Sequence, residues 1–361
     1  MSQESSKEHT TKIKASPRAI ALLGPHGGGK TTLLESIAVI TGAAQRKGSV
    51  ASGTSLGDSG PESRARVMSV EMNVLNTQYL GEEFTFLDCP GSIEFLSDTL
   101  NVLPGIDAAI VVCEPDAAKA TMLQPFLKRL ADAQVPHLLF VNKFDKARGS
   151  LRTLMAGLQE ASDKPLLLRQ IPIWEHGVAT GFVDLALERA YHYRPHGASE
   201  VTDIADYARE KEARFQMLEK LADYDEHLME ELLGDVEPPR EEVFGELKRE
   251  LAEGLAVPVL IGSAEGDNGV RRLLKALRHE MPNEPNVGLE PAEPEDIQPV
   301  EELNWELKHL RWQKPNEPNA PAPNEANGAV PNEPNVPVGS DLPRLLTSST
   351  PPTPSPSIPM P

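Results

Sequence analysis

Four short groups of residues carry the chemistry legible in this chain. The first is Gly24-Pro25-His26-Gly27-Gly28-Gly29-Lys30-Thr31. It has the form G-x-x-x-x-G-K-[ST], in which glycines let successive backbone N–H groups turn inward as an anion nest. A helix N-terminus behind the loop, at Thr31 and Thr32, adds unsatisfied N–H donors and partial positive charge. Lys30 can reach outer phosphates as a point charge, and the Thr31 hydroxyl can ligate Mg²⁺. The second group is Asp88-Cys89-Pro90-Gly91. An acidic residue at a strand end opposite a phosphate loop is placed to hold Mg²⁺, and a glycine there lets the backbone approach a γ-phosphate. The third is Asn142-Lys143-Phe144-Asp145, an N-K-x-D pattern. The Asp145 carboxylate can accept both N–H bonds of a guanine edge, whereas adenine would leave it facing an acceptor. A buried polar group without a partner is costly, so the base can be selected strongly. Asn142 can bridge the base-binding loop to the phosphate loop, and the Lys143 stem can lie over the base. The fourth is Gly262-Ser263-Ala264, where a backbone N–H would meet the guanine 6-oxygen. Taken alone, that stretch is equally an ordinary strand end.

These groups need a scaffold that brings them together, and the hydrophobic pattern supplies one. Residues 18–23 read as a buried strand running into the phosphate loop, and residues 32–40 as a helix with Leu33, Leu34 and Ile37 on one face. Residues 69–80 and 83–88 read as paired strands across a turn at Gly81. A helix over 92–104, a strand over 108–113, a helix over 117–133 and a strand over 135–141 follow, with a last strand over 257–261 and a closing helix over 269–277. Strands alternating with helices predict an α/β fold of the P-loop NTPase type, its mostly parallel sheet covered on both faces. Ligands of such sheets bind beyond the carboxyl ends of the strands, where all four groups fall. Residues 41–68 are Gly/Ser-rich without sustained period, which fits either a segment ordered by nucleotide or a plain connector.

The 361 residues divide by composition into a flexible N-terminus over 1–17, a nucleotide-binding domain over 18–282 and a Pro/Asn-rich tail over 283–361. More than a hundred residues separate Asp145 from Ser263, too many for a crossover. They predict an inserted, mainly helical subdomain over about 150–255, with short strands at Ile171-Pro172-Ile173 and Gly181–Leu185. Residues 282–361 hold 19 of the 33 prolines and repeat Pro-Asn-Glu-Pro-Asn, so the tail should be disordered. Within it, Leu303, Leu307 and Leu310 share one face of a short helix that could dock on a partner or stay transient. A net charge of −19 argues against a broad nucleic-acid footprint, and no sequence-specific nucleic-acid binding is expected. Cys89 and Cys113 each sit in an apolar run, which fits a reducing compartment better than a disulfide scaffold. His192 and His196 lack a metal-binding pattern and read as surface or satisfied histidines. No apolar run approaches the ~18 residues of a membrane span and no signal peptide is evident, so a cytoplasmic protein without membrane contact is expected.

Taken in order, the phosphate loop, Asp88-Cys89-Pro90-Gly91, Asn142-Lys143-Phe144-Asp145 and Gly262-Ser263-Ala264 resemble a translational GTPase. Residues 19 to about 282 are similar to the GTPase domain of bacterial elongation factor G, above all its divergent elongation factor G-like paralogues. Gln170-Ile171-Pro172-Ile173 and Tyr224-Asp225-Glu226-His227-Leu228-Met229-Glu230 resemble that family's G′ subdomain. The resemblance implies a Mg²⁺-dependent switch between GTP and GDP with GTPase activity. The ribosome or its stalk would be the partner, through the GTPase or G′ region. It implies Mg²⁺ ligation by Thr31 and Ser69, with Asp88 acting through water, and a γ-phosphate contact from the Gly91 N–H. Four departures qualify it. Ser69, in Arg66-Val67-Met68-Ser69-Val70, stands where the family has threonine. Ser92 stands where the family's histidine positions the attacking water, and Gly27 stands in place of a phosphate-loop aspartate. The family's further domains are expected to be missing, with the tail in their place. Slow hydrolysis is therefore expected. A GTP-dependent binding module with little hydrolysis, or a truncated paralogue without translocation activity, fits the same residues.

Overall fold

The computed structural model describes residues 17–50, 52–57, 60–66, 68–194, 197–202 and 208–281. The chain divides into two units, residues 1–292 and 293–361. The readings made for residues 1–16, His196 and the tail from 282 onward lie outside the described residues.

The site is built around strand β1 (Arg18–Leu23) and helix α1 (Lys30–Thr41). After a short helix α2 (Pro61–Arg66) come strands β2 (Asn73–Tyr79) and β3 (Glu82–Asp88), helix α3 (Leu96–Leu100) and strand β4 (Ala108–Cys113). Helix α4 (Gln124–Asp132), strand β5 (His137–Val141) and helix α5 (Leu151–Glu160) continue the alternation. The insert follows, with strands β6 (Leu166–Leu168), β7 (Gln170–Glu175), β8 (Val178–Asp184), β9 (Arg189–His192) and β10 (Glu200–Thr202). Its helices are α6 (Ala208–Ala222), α7 (Glu226–Leu233) and α8 (Arg240–Glu253). Strand β11 (Val257–Ile261) and helix α9 (Val270–His279) close the domain.

The main sheet has the order β2-β3-β1-β4-β5-β11-β6. Only the β2–β3 pair is antiparallel. After Arg18 and His137 at the starts of β1 and β5, its central strands are apolar runs because both faces are buried. The period of two sorts them: Ala21 and Leu23, Ala109 and Val111, Leu139 and Val141, and Val259 and Ile261 join one core. Ile20 and Leu22, Ile110 and Val112, Leu138 and Phe140, and Leu260 join the other. β1 pairs with β3 on one side and β4 on the other, so the chain passes to one side of β1 for β2 and β3 and then crosses to the other side for β4. That reversal opens the crevice at the carboxyl end of β1 where the phosphate loop sits.

The insert does more than predicted. Its three helices form a third core with Leu218, Leu221, Leu228, Val243 and Leu247. β6 extends the main sheet beside β11, and a second antiparallel sheet runs β10-β9-β8-β7. Among the described residues the insert, expected to be mainly helical, thus also contributes five strands, and its first helix begins only at Ala208. Two other expectations are corrected. The helix expected over 92–104 is broken into a 3-10 turn at Ile93–Phe95, α3 and a second turn at Leu103–Gly105, because Pro104 cannot continue a helical ladder. The strand expected from residue 69 starts at Asn73, which leaves Ser69 in a loop. No helix among the described residues is long and apolar enough to cross a membrane.

Candidate functional site

The phosphate loop owes its shape to three glycines in the left-handed region, Gly24 at φ 129°, Gly27 at 81° and Gly29 at 91°. At Gly24 a side chain is also excluded by packing, since its Cβ would lie 2.3 Å from the Val112 carbonyl oxygen. Pro25 and Gly28 are buried, whereas His26 and Gly27 face solvent. Helix α1 starts here and carries no acidic side chain in its first turn, which leaves its positive end uncompensated. Lys30 is buried and its Nζ donates to the carbonyls of Gly24 and Pro25, at 2.9 and 3.1 Å. The loop therefore holds its own ammonium group beneath the amide cradle.

Register places the second group beside it. Leu22 pairs with Asp88, and the Cys89 N–H donates to the Leu22 carbonyl at 3.2 Å. Asp88 is fully buried at the end of β3. The neighbouring Cys89 thiol is pushed up to about 12 by burial and by Asp88, so it stays protonated. The Pro90 carbonyl accepts the Thr99 hydroxyl at 2.9 Å, which ties this turn to α3. Gly91 packs so closely on the phosphate loop that its Cβ would lie 2.1 Å from Lys30 Nζ and 2.8 Å from Gly24 O. Ser92 follows, half-buried, its carbonyl accepting the Phe95 N–H at 3.0 Å.

From the loop before β2, Ser69 reaches Thr31, with the two hydroxyl oxygens 3.0 Å apart. Adjacent oxygen ligands of an octahedral Mg²⁺, each 2.0–2.1 Å from the ion, lie about 2.9 Å from one another. The donor set fits Mg²⁺ in both chemistry and spacing.

The third and fourth groups meet through Asn142. Its Nδ2 donates to the Gly28 carbonyl at 2.9 Å and its Oδ1 accepts the Ala264 N–H at 2.8 Å. Lys143 adopts the left-handed conformation, φ 57°, which costs a non-glycine residue about 1 kcal/mol or more. That turn sends its Nζ to the Gly27 carbonyl and to Glu114 Oε1, both at 2.6 Å. Asp145 Oδ1 is buried and, among the described residues, has no hydrogen-bond partner. A carboxylate oxygen so placed is able to accept an N–H hydrogen bond. The two strand-end amides have partners within the chain: the Ser263 N–H donates to Asn268 O at 2.9 Å and the Ala264 N–H to Asn142 Oδ1 at 2.8 Å.

Two anchors escaped the sequence reading. Lys47, in the loop after α1, donates to the carbonyls of Ala264 and Glu265 and to Asp267 Oδ1. Glu35 is buried on α1 and accepts from Gly48 N at 2.8 Å, Ser55 Oγ at 2.8 Å and Leu56 N at 2.5 Å. Together they fasten the 47–56 loop to the phosphate helix and the base-binding loop. Only the polarity of Glu35 on an otherwise apolar helix face hinted at this. The resulting cleft is lined by Lys30, Thr31, Thr32, Lys47, Ser69, Gly91, Asn142 and Lys143, so residues from all these loops share one space.

Residues 16–283 match the family described as elongation factor Tu GTP binding domain. The chain belongs to this family. Among its relatives, an elongation factor G-like protein of Synechocystis sp. is 44% identical over 268 residues, which covers 74% of this chain and 40% of that protein. Elongation factor G of Thermotoga neapolitana is 28% identical over 310 residues, 83% of this chain and 42% of the relative. A crystal structure of a Thermus thermophilus protein superposes with a TM-score of 0.65 at 30% identity, covering 73% of this chain and 40% of that one. The resemblance to elongation factor G-like proteins read from the four motifs is borne out. The chain spans about two fifths of the length of these relatives.

Proposed function

We propose that this chain is an elongation factor G-like, Mg²⁺-dependent GTP-binding protein that hydrolyses GTP slowly. The observation that carries the reading is Asn142, which joins the phosphate loop to the 263–264 loop beside the partnerless Asp145 oxygen. Phosphate recognition and guanine recognition are thereby fixed at one distance. The amides of residues 24–32 and Lys30 hold the β- and γ-phosphates and spread the charge that develops on transfer. Thr31, Ser69 and, through water, Asp88 hold Mg²⁺, which when bound neutralises the phosphate oxygens. The Gly91 N–H contacts the γ-phosphate, and Lys143 covers the base while Asp145 accepts its two N–H groups. Residues 41–69 and 91–104 order on GTP and relax on GDP.

Phosphoryl transfer rests mainly on positioning and charge stabilisation. With Ser92 in place of a water-positioning histidine, turnover falls ~10²–10³-fold while binding survives. Ser92 equally favours a second reading, a GTP-dependent binding module with negligible hydrolysis. Single-turnover hydrolysis of labelled GTP separates them. Slow release that Lys30→Ala abolishes and Ser92→Ala leaves unchanged supports the first reading. Nucleotide binding without phosphate release supports the second, and a fast rate lost in Ser92→Ala would show that Ser92 had taken over the water-positioning role. Residues 150–255 act as a G′-like subdomain, and the cytoplasmic ribosome or its stalk is the partner, engaged through the GTPase or G′ surface.

A further inference from the structure

The insert carries a cluster that nucleotide binding does not use. His227 and Glu231 lie four residues apart on α7 and so project from one face. Glu242 approaches them from α8, and one ligand atom from each of the three lies within 4.8 Å of the others. Core neighbours pin these positions: Leu228, next to His227, and Val243, next to Glu242, are fully buried in the same cluster. The Asp225 side chain caps α7 by accepting the Leu228 N–H at 2.9 Å, which fixes the turn that bears His227.

The charges in this cluster are incompletely matched. Among the described residues, Glu242 pairs with His227 alone, Nδ1 to Oε1 at 2.9 Å. Glu231 Oε2 is buried with no hydrogen-bond partner. The nearby guanidinium groups are committed elsewhere, Arg249 to Glu246, Asp225 and Glu253, and Arg240 to Glu188. Two carboxylates facing one imidazole, one of them with a desolvated oxygen, form a site short of positive charge. We propose that His227, Glu231 and Glu242 bind a transition-metal dication of the zinc type, with water as fourth ligand, clamping α7 to α8.

The donor set selects the ion. One imidazole nitrogen and two carboxylate oxygens suit Zn²⁺ at bond lengths of about 2.0–2.2 Å, whereas Mg²⁺ favours oxygen alone and retains its waters. Closing the three atoms around such an ion needs a shift of about 1 Å, since tetrahedral ligands at those bond lengths stand about 3.4 Å apart. The His227 side chain, 70% exposed, is free to make that movement. The ion would close the loop over 234–239 that joins the two helices.

Co²⁺ titration of the full chain tests this, with Mg²⁺ in excess to occupy oxygen-only sites. One equivalent should bind with the visible absorption of a four-coordinate ion and be displaced by Zn²⁺. His227→Asn should abolish the absorption, and Glu231→Gln should weaken binding at least about tenfold. His176→Asn, at a hairpin turn elsewhere in the insert, should change nothing. Zn²⁺ should raise the thermal midpoint of the native chain and leave that of His227→Asn unmoved. Because His227 is largely exposed, its replacement leaves the core intact, which circular dichroism verifies. Absorption retained in folded His227→Asn, equal loss in His176→Asn, or no bound cobalt would overturn the proposal.

Discussion

Replacing Glu280 by glutamine should cost this fold a large share of its stability. Glu280 belongs to a buried quartet with Arg169, Asp184 and Arg272, exposed by 3, 0, 0 and 6% respectively. Arg169 Nη1 donates to Glu280 at 2.6 Å, Arg272 Nη2 to Glu280 at 3.2 Å and Arg272 Nε to Asp184 at 2.5 Å. Two cations balance two anions, so removing one carboxylate leaves an uncompensated buried charge. Breaking such an arrangement costs about 3–5 kcal/mol, against a total of about 5–15 kcal/mol for a domain. Removing Arg169 as well restores neutrality and leaves the Arg272–Asp184 pair intact. The double variant Glu280→Gln, Arg169→Met should therefore lose about 2 kcal/mol less than the sum of the singles. Urea denaturation of the full chain at pH 7 measures all four corners of the cycle. A Glu280→Gln cost below ~1 kcal/mol, or an additive cycle, would refute the reasoning. The sign of the pH dependence follows from the same geometry. Burial pushes both carboxyls up, but the two guanidinium groups outweigh it and hold Asp184 and Glu280 below the usual range. Their contribution is thus full above the ordinary carboxylate values and is lost as pH falls through the folded ones.

Two other substitutions probe parts of the fold that the motifs do not reveal. Glu250, buried on α8, is pushed up to about 8 by burial and by Glu246, Asp223 and Asp225 against the pull of Arg249. The folded state then holds a proton that the unfolded chain releases, so stability falls as pH rises from the carboxylate range towards 8. Glu250→Gln should flatten that fall and stabilise the chain at pH 9 by several kcal/mol, up to about 5, in a pH series of urea melts, and an unchanged slope would contradict it. Glu35→Gln should free the loop over 48–56. Hydrogen exchange of the Gly48 and Leu56 amides should speed at least about tenfold, and unaltered exchange would show that Glu35 is not the anchor.

The main sheet was legible because its physics is local. Residues 19–23, 108–113 and 257–261 are apolar runs that end in Gly24, Glu114 and Gly262, and burial on both faces needs nothing further. Phosphate and base motifs were legible for the same reason, since each requires particular residue types within a few positions. What stayed hidden depends on distant pairs. Arg272 sits next to Arg271 in the sequence, yet the first is buried against Asp184 and Glu280 while the second is exposed. No helical pattern distinguishes them without knowing what α9 faces. β9 and β10 are too short to show alternation, and half-buried residues dilute what pattern they have. The partners of the Ser263 and Ala264 amides stayed hidden, because the strand-end motif specifies residue types, whereas Asn142 and Asn268 are brought to them only by the fold.

Guanine selection by Asp145 is the claim on which the functional account turns. It is tested most directly by the affinities of GDP and ADP, with Mg²⁺, for the native chain and for Asp145→Ala. A site whose buried carboxylate oxygen waits for an N–H donor should favour GDP by at least about a thousandfold, and Asp145→Ala should erase most of that preference while the chain stays folded. Equal affinity for GDP and ADP in the native chain would contradict it.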